Sequence, residues 1–283
     1  MENEKKISVT KNKKFIYILC IVLALLLVFA SVFATGYLLN LDGNDNITPT
    51  GTTATADEVT TTPVVTTPDE TSPEEVKVPK VLSQLLERGG YTTGDLDFEQ
   101  LIVVDSIGTD ARIMFFEKKD NEWKFAHRMS TVTGYVGENG VADQVSEGEL
   151  KTPAGIFSLG IGFGIMDDPG TKLDYIKVTE QSYWIDDPES AYYNQLVEGT
   201  ENKDWNSAEQ ISLYSPEYNY AVFIEYNTDP VVKGAGSAFF LREGRGVTRG
   251  SVAIPHDSMI DALCWLDKDL SPHIMILKSV ENN

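Results

Sequence analysis

One short stretch in the C-terminal part of the chain carries side chains suited to chemistry. In GRGVTRGSVAIP, residues 244–255, Ser251 follows Gly250 at the start of a short apolar run. A serine there is either a nucleophile, which needs a neighbouring general base, or a turn former. Arg242, Arg245 and Arg249 lie within eight residues and are three of the six arginines in the chain. A guanidinium accepts no proton and cannot be that base, but its planar fork matches carboxylates.

Composition excludes several classes of function. The formal net charge of -20 argues against a nucleic-acid partner, since polyanion binding needs clustered surface cations. Two cysteines, Cys20 and Cys264, give no disulfide framework. Three scattered histidines do not have the spacing of a zinc site. We therefore expect no metal, no cofactor and no nucleic acid.

The N-terminal third predicts a membrane-anchored, extracytoplasmic arrangement. Residues 15–39 are uncharged and long enough to span a bilayer as a helix, with lysines before them. This predicts a cytoplasmic tail at 1–14, an anchor at 15–39 and everything after it outside the cell, at the wall. A cleaved signal peptide is the alternative, which the length of the apolar run disfavours. Residues 40–79 are rich in Thr, Pro and acidic residues and predict a disordered stalk.

Residues 80–283 predict a mostly β domain with a few short helices. Apolar runs such as LIVVDS, ARIMFFE, WKFAHRM and AVFIEY have the length and alternation of strands. Residues 118–121 predict a hairpin turn between the second and third of these. One helix is predicted at 78–90, ending at a Gly-Gly pair, and another at 257–267 with Ile260, Leu263 and Cys264 facing the core.

Four segments between residues 147 and 267 resemble a known family when taken in order. They read EGELKTPAGIFSL, IDDPESAYYNQLV, YAVFIEYNTDPVVKGAGSAFF and GVTRGSVAIPHDSMIDALCWLD. Together they resemble the L,D-transpeptidase catalytic domain (YkuD or ErfK/YbiS-like), over roughly residues 100–277. The resemblance implies a β-sandwich-like fold and an activity on peptidoglycan stem peptides. In that family a cysteine thiolate attacks the stem, and a histidine takes the thiol proton.

Both catalytic positions depart from the family pattern. Ser251 stands where the cysteine belongs and Arg242 where the histidine belongs. A hydroxyl is a far weaker acid than a thiol, and without a base it attacks poorly. The resemblance makes Gly250 a candidate oxyanion donor or turn residue. The clustered arginines predict that Arg245 and Arg249 contact the ligand, because a guanidinium matches a carboxylate. Ser237, Gly236 and Thr152 are expected to contact it as well, and Gly236 and Thr152 are also expected to shape turns beside the groove.

Three other side chains are candidates for the lost base or nucleophile, and each has an ordinary structural role as its alternative. His256 follows Ser251 by five residues, on the order of 16 Å along an extended chain, and is expected to be an exposed helix start. Cys264 is expected to be buried and inert on the apolar face of its helix. His127 is expected to be an ordinary sheet or surface residue.

Three functions are consistent with this sequence. The first is a catalytically impaired family member that binds stem peptides through a cationic mouth formed by the arginines. The second is an active L,D-transpeptidase that uses Ser251 with an unidentified base in cross-link formation. The third is a structural or sensory wall protein that uses the fold only as a scaffold and has no affinity for stems. For the arginines themselves, the alternative to a binding site is a solvated loop on which they pair with Glu243 and other acids, where each pair contributes little.

Overall fold

The computed structural model of the chain describes residues 76–127, 129 and 131–279. The predicted cytoplasmic tail, the membrane segment 15–39 and nearly all of the linker lie outside these residues. Within the described part, no helix has the length and apolar character needed to cross a membrane.

The described chain is mostly β, which confirms the predicted class. Its two α-helices are α1 (Lys80–Gly89) and α2 (His256–Trp265), and single 3-10 turns lie at Thr93–Asp95, Ile211–Leu213 and Lys268–Leu270. The strands are β1 (Gln100–Ile107), β2 (Asp110–Lys119), β3 (Glu122–Phe125), β4 (Val132–Tyr135), β5 (Val141–Ala142), β6 (Thr152–Pro153), β7 (Gly155–Gly164), β8 (Tyr175–Lys177), β9 (Ser182–Ile185), β10 (Leu196–Glu198), β11 (Ala208–Gln210), β12 (Ala221–Ile224), β13 (Phe240–Glu243), β14 (Val252–Ile254) and β15 (His273–Leu277).

The largest sheet closes on itself. Its order is β1-β15-β7-β12-β13-β14-β4-β2, and β2 pairs again with β1. β13 and β14 are parallel, with Leu241 opposite Val252. Because parallel strands start at the same edge, the first residues of β13 and β14 lie side by side. This edge carries Ser251.

The inner face of the closed sheet packs around α2. Residues of seven strands, among them Ile102, Ile113 and Leu241, form one buried cluster with Met259 and Leu263 of the helix. Side chains on a strand alternate between faces, so the neighbours of Leu241 point the other way. Arg242 therefore lies on the outer face of β13.

Two elements cover different parts of the outer face of the closed sheet. Helix α1 buries Leu82, Leu85 and Leu86 against β1 and β2. Elsewhere a three-stranded sheet, β10-β9-β11, packs Trp184 against Phe163 and Phe240. Strands covered on both faces need apolar residues at consecutive positions, which explains the unbroken runs LIVV and AVFI.

The predicted helices and hairpin are confirmed, with two local corrections. Asp120 and Asn121 turn the β2–β3 hairpin with φ of 51° and 59°, as a two-residue hairpin of the primed type requires. The strand predicted over residues 123–129 ends at Phe125. The prediction for Cys264 is wrong: the residue is exposed, because the buried stripe of α2 runs through Met259, Ala262 and Leu263.

Candidate functional site

The site lies where β13 and β14 begin. Ser251 immediately precedes β14 and is 6% exposed. Its hydroxyl oxygen accepts a hydrogen bond from the Phe240 amide at 3.1 Å, and its nearest acceptor is the Ala238 carbonyl at 3.5 Å. Both partners are backbone groups. Among the residues that the structure describes, no side chain that could act as a base is hydrogen-bonded to this hydroxyl.

A buried side chain, Thr152, anchors the loop that carries Ser251. Thr152 is fully buried; its hydroxyl accepts from the Gly137 amide at 2.8 Å and donates to the Gly250 carbonyl at 2.7 Å. Gly250 has φ +145°, and a Cβ there would lie 2.7 Å from the Phe239 ring. Only glycine adopts this backbone conformation readily. Thr152 lies outside the cavity lining described below and supports the loop.

The Gly250 amide already donates a hydrogen bond within the protein. It donates to the Thr248 hydroxyl at 3.0 Å, and that hydroxyl donates to the Ser251 carbonyl at 2.5 Å. An oxyanion hole needs amide donors that point at the developing charge. The amide of Gly250 is instead part of the turn that presents Ser251.

A cavity of about 630 Å³ opens beside Ser251. Its wall includes four of the other predicted site residues, Arg242, Arg249, Ser237 and Gly236, whereas Arg245 is exposed and outside the lining. The remaining wall comes largely from the chain between β9 and β12. Charged residues of the lining are of both signs: Lys151, Arg242, Arg249, Glu147, Asp186, Glu209 and Glu217.

Within the part of the chain that the structure describes, the two arginines of the cavity have no carboxylate partner. Neither Arg242 nor Arg249 has an ion pair within 4 Å to any described residue. Arg242 donates to the backbone oxygen of Glu243 at 2.7 Å, and its guanidinium carbon lies 5.9 Å from the centre of the Tyr218 ring. The alternative pairing of the arginines with the Glu243 carboxylate is not observed, and that carboxylate lies 2.8 Å from His256 Nδ1.

Burial shifts the pKa of two contacting groups in the cavity wall, Glu209 and Tyr218. Burial raises the pKa of the Glu209 carboxyl, and Asp186 adds to the rise, while the Tyr218 hydroxyl, Arg242 and Arg249 oppose it. The Tyr218 hydroxyl donates to Glu209. Burial likewise raises the pKa of Tyr218 well above its usual range.

Asn194 joins the loop before β13 to the chain that follows β9. It is 4% exposed, and its amide donates to the carbonyls of Tyr226 and Asn227, each at 3.0 Å. Its oxygen accepts from the Ala238 amide at 3.1 Å and from the Trp184 indole at 3.2 Å. Asn194 therefore fixes the backbone oxygen that faces the Ser251 hydroxyl.

The three alternative catalytic side chains lie elsewhere. His256 is bound to Glu243, and His127 is exposed. Partial desolvation of the otherwise exposed Cys264 thiol raises its pKa, and Asp261 and Asp168 add to this. The thiol donates to the Pro169 carbonyl at 3.3 Å. None of the three residues lines the cavity beside Ser251.

Sequence reasoning missed Asp186, Glu209, Tyr218 and Asn194. The stretch containing Asp186 and Asn194 stands out as part of the family resemblance, but nothing in its spacing indicates that it faces Ser251. Comparison of the chain with protein-family models, curated proteins and solved structures finds no match.

Proposed function

We propose that this protein binds peptidoglycan stem peptides on an L,D-transpeptidase-like scaffold that has lost its chemistry. The proposal includes the β-sandwich-like family fold and a membrane anchor at 15–39 that holds the domain outside the cell at the wall. One observation carries it. Ser251 has only backbone partners, while the arginines beside it, in the same cavity, have no described carboxylate partner.

The loss of catalysis follows from the two replaced side chains. A serine in this position needs a base within about 3.2 Å of its oxygen. The position that the family fills with histidine holds Arg242, which stays protonated and accepts nothing. Loss of the base costs hydrolases about as much as loss of the whole catalytic unit. Ser251 is thus a hydrogen-bonded part of the loop.

The retained binding follows from the same replacements. Where the family has a thiol and an imidazole, this chain has the neutral hydroxyl of Ser251 and the permanent cation of Arg242. Arg242 and Arg249 line the cavity together, and stem peptides carry several carboxylates. A hydrogen bond between charged partners contributes about 1.5–3 kcal/mol, so each arginine is expected to account for roughly ten- to a hundredfold in affinity.

An apolar rim adds contact area. Leu213 is 71% exposed and Tyr214 is 44% exposed, and both line the cavity. Large apolar side chains left exposed beside a polar cavity are typical of a surface that a ligand covers. The methyl groups of alanine residues in a stem peptide suit such a rim.

The test is retention of the protein on purified peptidoglycan. The double variant Arg242→Ala/Arg249→Ala is expected to lose retention at physiological salt. Arg245→Ala is the matched control, because it removes a charge of the same type from the same loop but outside the cavity lining. Retention of the double variant equal to that of the parent would overturn the proposal.

A further inference from the structure

The carboxylates of the cavity differ in their hydrogen-bond donors. Two have donors within the protein: Glu209 accepts from the Tyr218 hydroxyl, and Glu147 accepts from the Tyr193 hydroxyl. The Asp186 carboxylate has neither a hydrogen bond nor an ion pair to any residue in the described part of the chain, and its Oδ1 is shielded from solvent. A shielded carboxylate oxygen without a donor is a costly arrangement.

The positive charges of the cavity do not satisfy Asp186. Neither Arg242 nor Arg249 comes within 4 Å of an acidic group among the described residues, and Lys151 pairs with Glu149 at 3.6 Å. The cavity therefore holds unpaired charge of both signs, which do not neutralise one another by direct contact. Charges held apart in this way fit a ligand that carries both signs itself.

A second polar group of the same wall lacks a close hydrogen bond. Ser237 is 8% exposed, and its hydroxyl oxygen has no partner at normal hydrogen-bond distance within the described chain. Its interaction with the Tyr193 phenol is a longer one, which opposes the rise in the pKa of that phenol. Ser237 lies on the loop before β13, and Asp186 follows β9. A hydroxyl both donates and accepts, so it suits an amide or ammonium group as well as a carboxylate.

We propose that the cavity recognises a zwitterionic segment of its ligand, with the carboxylate at Arg242 and Arg249 and an ammonium group at Asp186. This inference rests on the proposed function and deepens it. A stem peptide with a free side-chain amine and a free terminal carboxylate has this chemistry. The arginines alone select any anion, whereas Asp186 selects stems whose amine is unmodified.

The experiment measures affinity by calorimetry for two synthetic tetrapeptide stems. Both have an acetylated N-terminus, a lysine at the third position and a free terminal carboxylate; in one, the lysine amine is acetylated. The unmodified stem is expected to bind at least about tenfold more tightly, the effect of one charge-assisted hydrogen bond. Asp186→Asn is expected to remove this preference and leave the affinity for the acetylated stem unchanged.

Glu217→Gln is the matched control. Glu217 also lines the cavity and has no ion pair to a described residue, so its replacement changes the net charge by the same amount. The preference for the free amine is expected to survive in this variant. An equal loss in both variants would show a general charge effect and overturn the assignment to Asp186.

Different binding results would overturn this inference and the proposed function. Equal binding of the two stems to the parent protein overturns the inference alone, and needs no variant to fold. Absence of binding to either stem and to purified peptidoglycan overturns both.

Discussion

Replacing Thr152 with valine removes one buried hydroxyl and leaves the shape of the side chain nearly unchanged. The hydroxyl joins the Gly137 amide to the Gly250 carbonyl, at 2.8 and 2.7 Å, and Thr152 is fully buried. Each of the two groups left buried without a partner costs about 1–3 kcal/mol, so we expect Thr152→Val to lower the free energy of unfolding by about 2–6 kcal/mol. That is a large part of the roughly 5–15 kcal/mol typical of a domain.

The assay is equilibrium unfolding of the purified chain in urea, followed by tryptophan fluorescence. Thr152→Ser is the control, since it keeps the hydroxyl and loses one buried methyl group, about 1 kcal/mol. We expect the midpoint to shift much further in the valine variant than in the serine variant, with similar slopes. Equal midpoints would refute the claim that Thr152 holds the Ser251 loop through its hydroxyl.

Three further predictions concern charge, loop anchoring and backbone. Because burial raises the pKa of Glu209, the stability that its carboxyl contributes is present at low pH and lost as pH rises through that pKa. The melting temperature of Glu209→Gln should therefore be higher than that of the parent at pH 7 and equal to it in acid. A difference in melting temperature that is the same at all pH values would contradict this. Asn194→Ala breaks four hydrogen bonds and should lower the free energy of unfolding by more than about 3 kcal/mol in the same urea assay. Gly250→Ala should be destabilising in thermal melts because its Cβ would lie 2.7 Å from Phe239, whereas Gly246→Ala, with open space, should be nearly neutral.

Local patterns were sufficient to predict most of the elements. The leucine spacing of α1 and the apolar runs of β1 and β12 reflect burial against adjacent layers, which composition records directly. Helix α2 shows the limit of this reasoning: its sequence allows more than one apolar stripe. Packing against the inner face of the sheet selects the stripe through Met259 and Leu263 and leaves Cys264 exposed.

The site could be predicted only where its residues are close in sequence. Arg242, Arg249 and Ser251 lie within ten residues, and the structure brings all three to one cavity. Thr152 contacts Gly250 across 98 positions of sequence, and Asp186 reaches the cavity from the chain after β9. Such contacts depend on how strands pair and loops return, so no local spacing indicates them. For the same reason the sequence predicted a purely cationic site, whereas the lining of the cavity has charges of both signs.

The central claim is that the cavity has kept its binding groups and lost its chemistry. It is tested most directly by release of D-alanine from a tetrapeptide stem, measured for the parent protein and for the double variant Ser251→Cys/Arg242→His. We predict no release above background by the parent, because Ser251 has only backbone partners, and measurable release by the double variant. Release by the parent that Ser251→Ala abolishes would contradict the account.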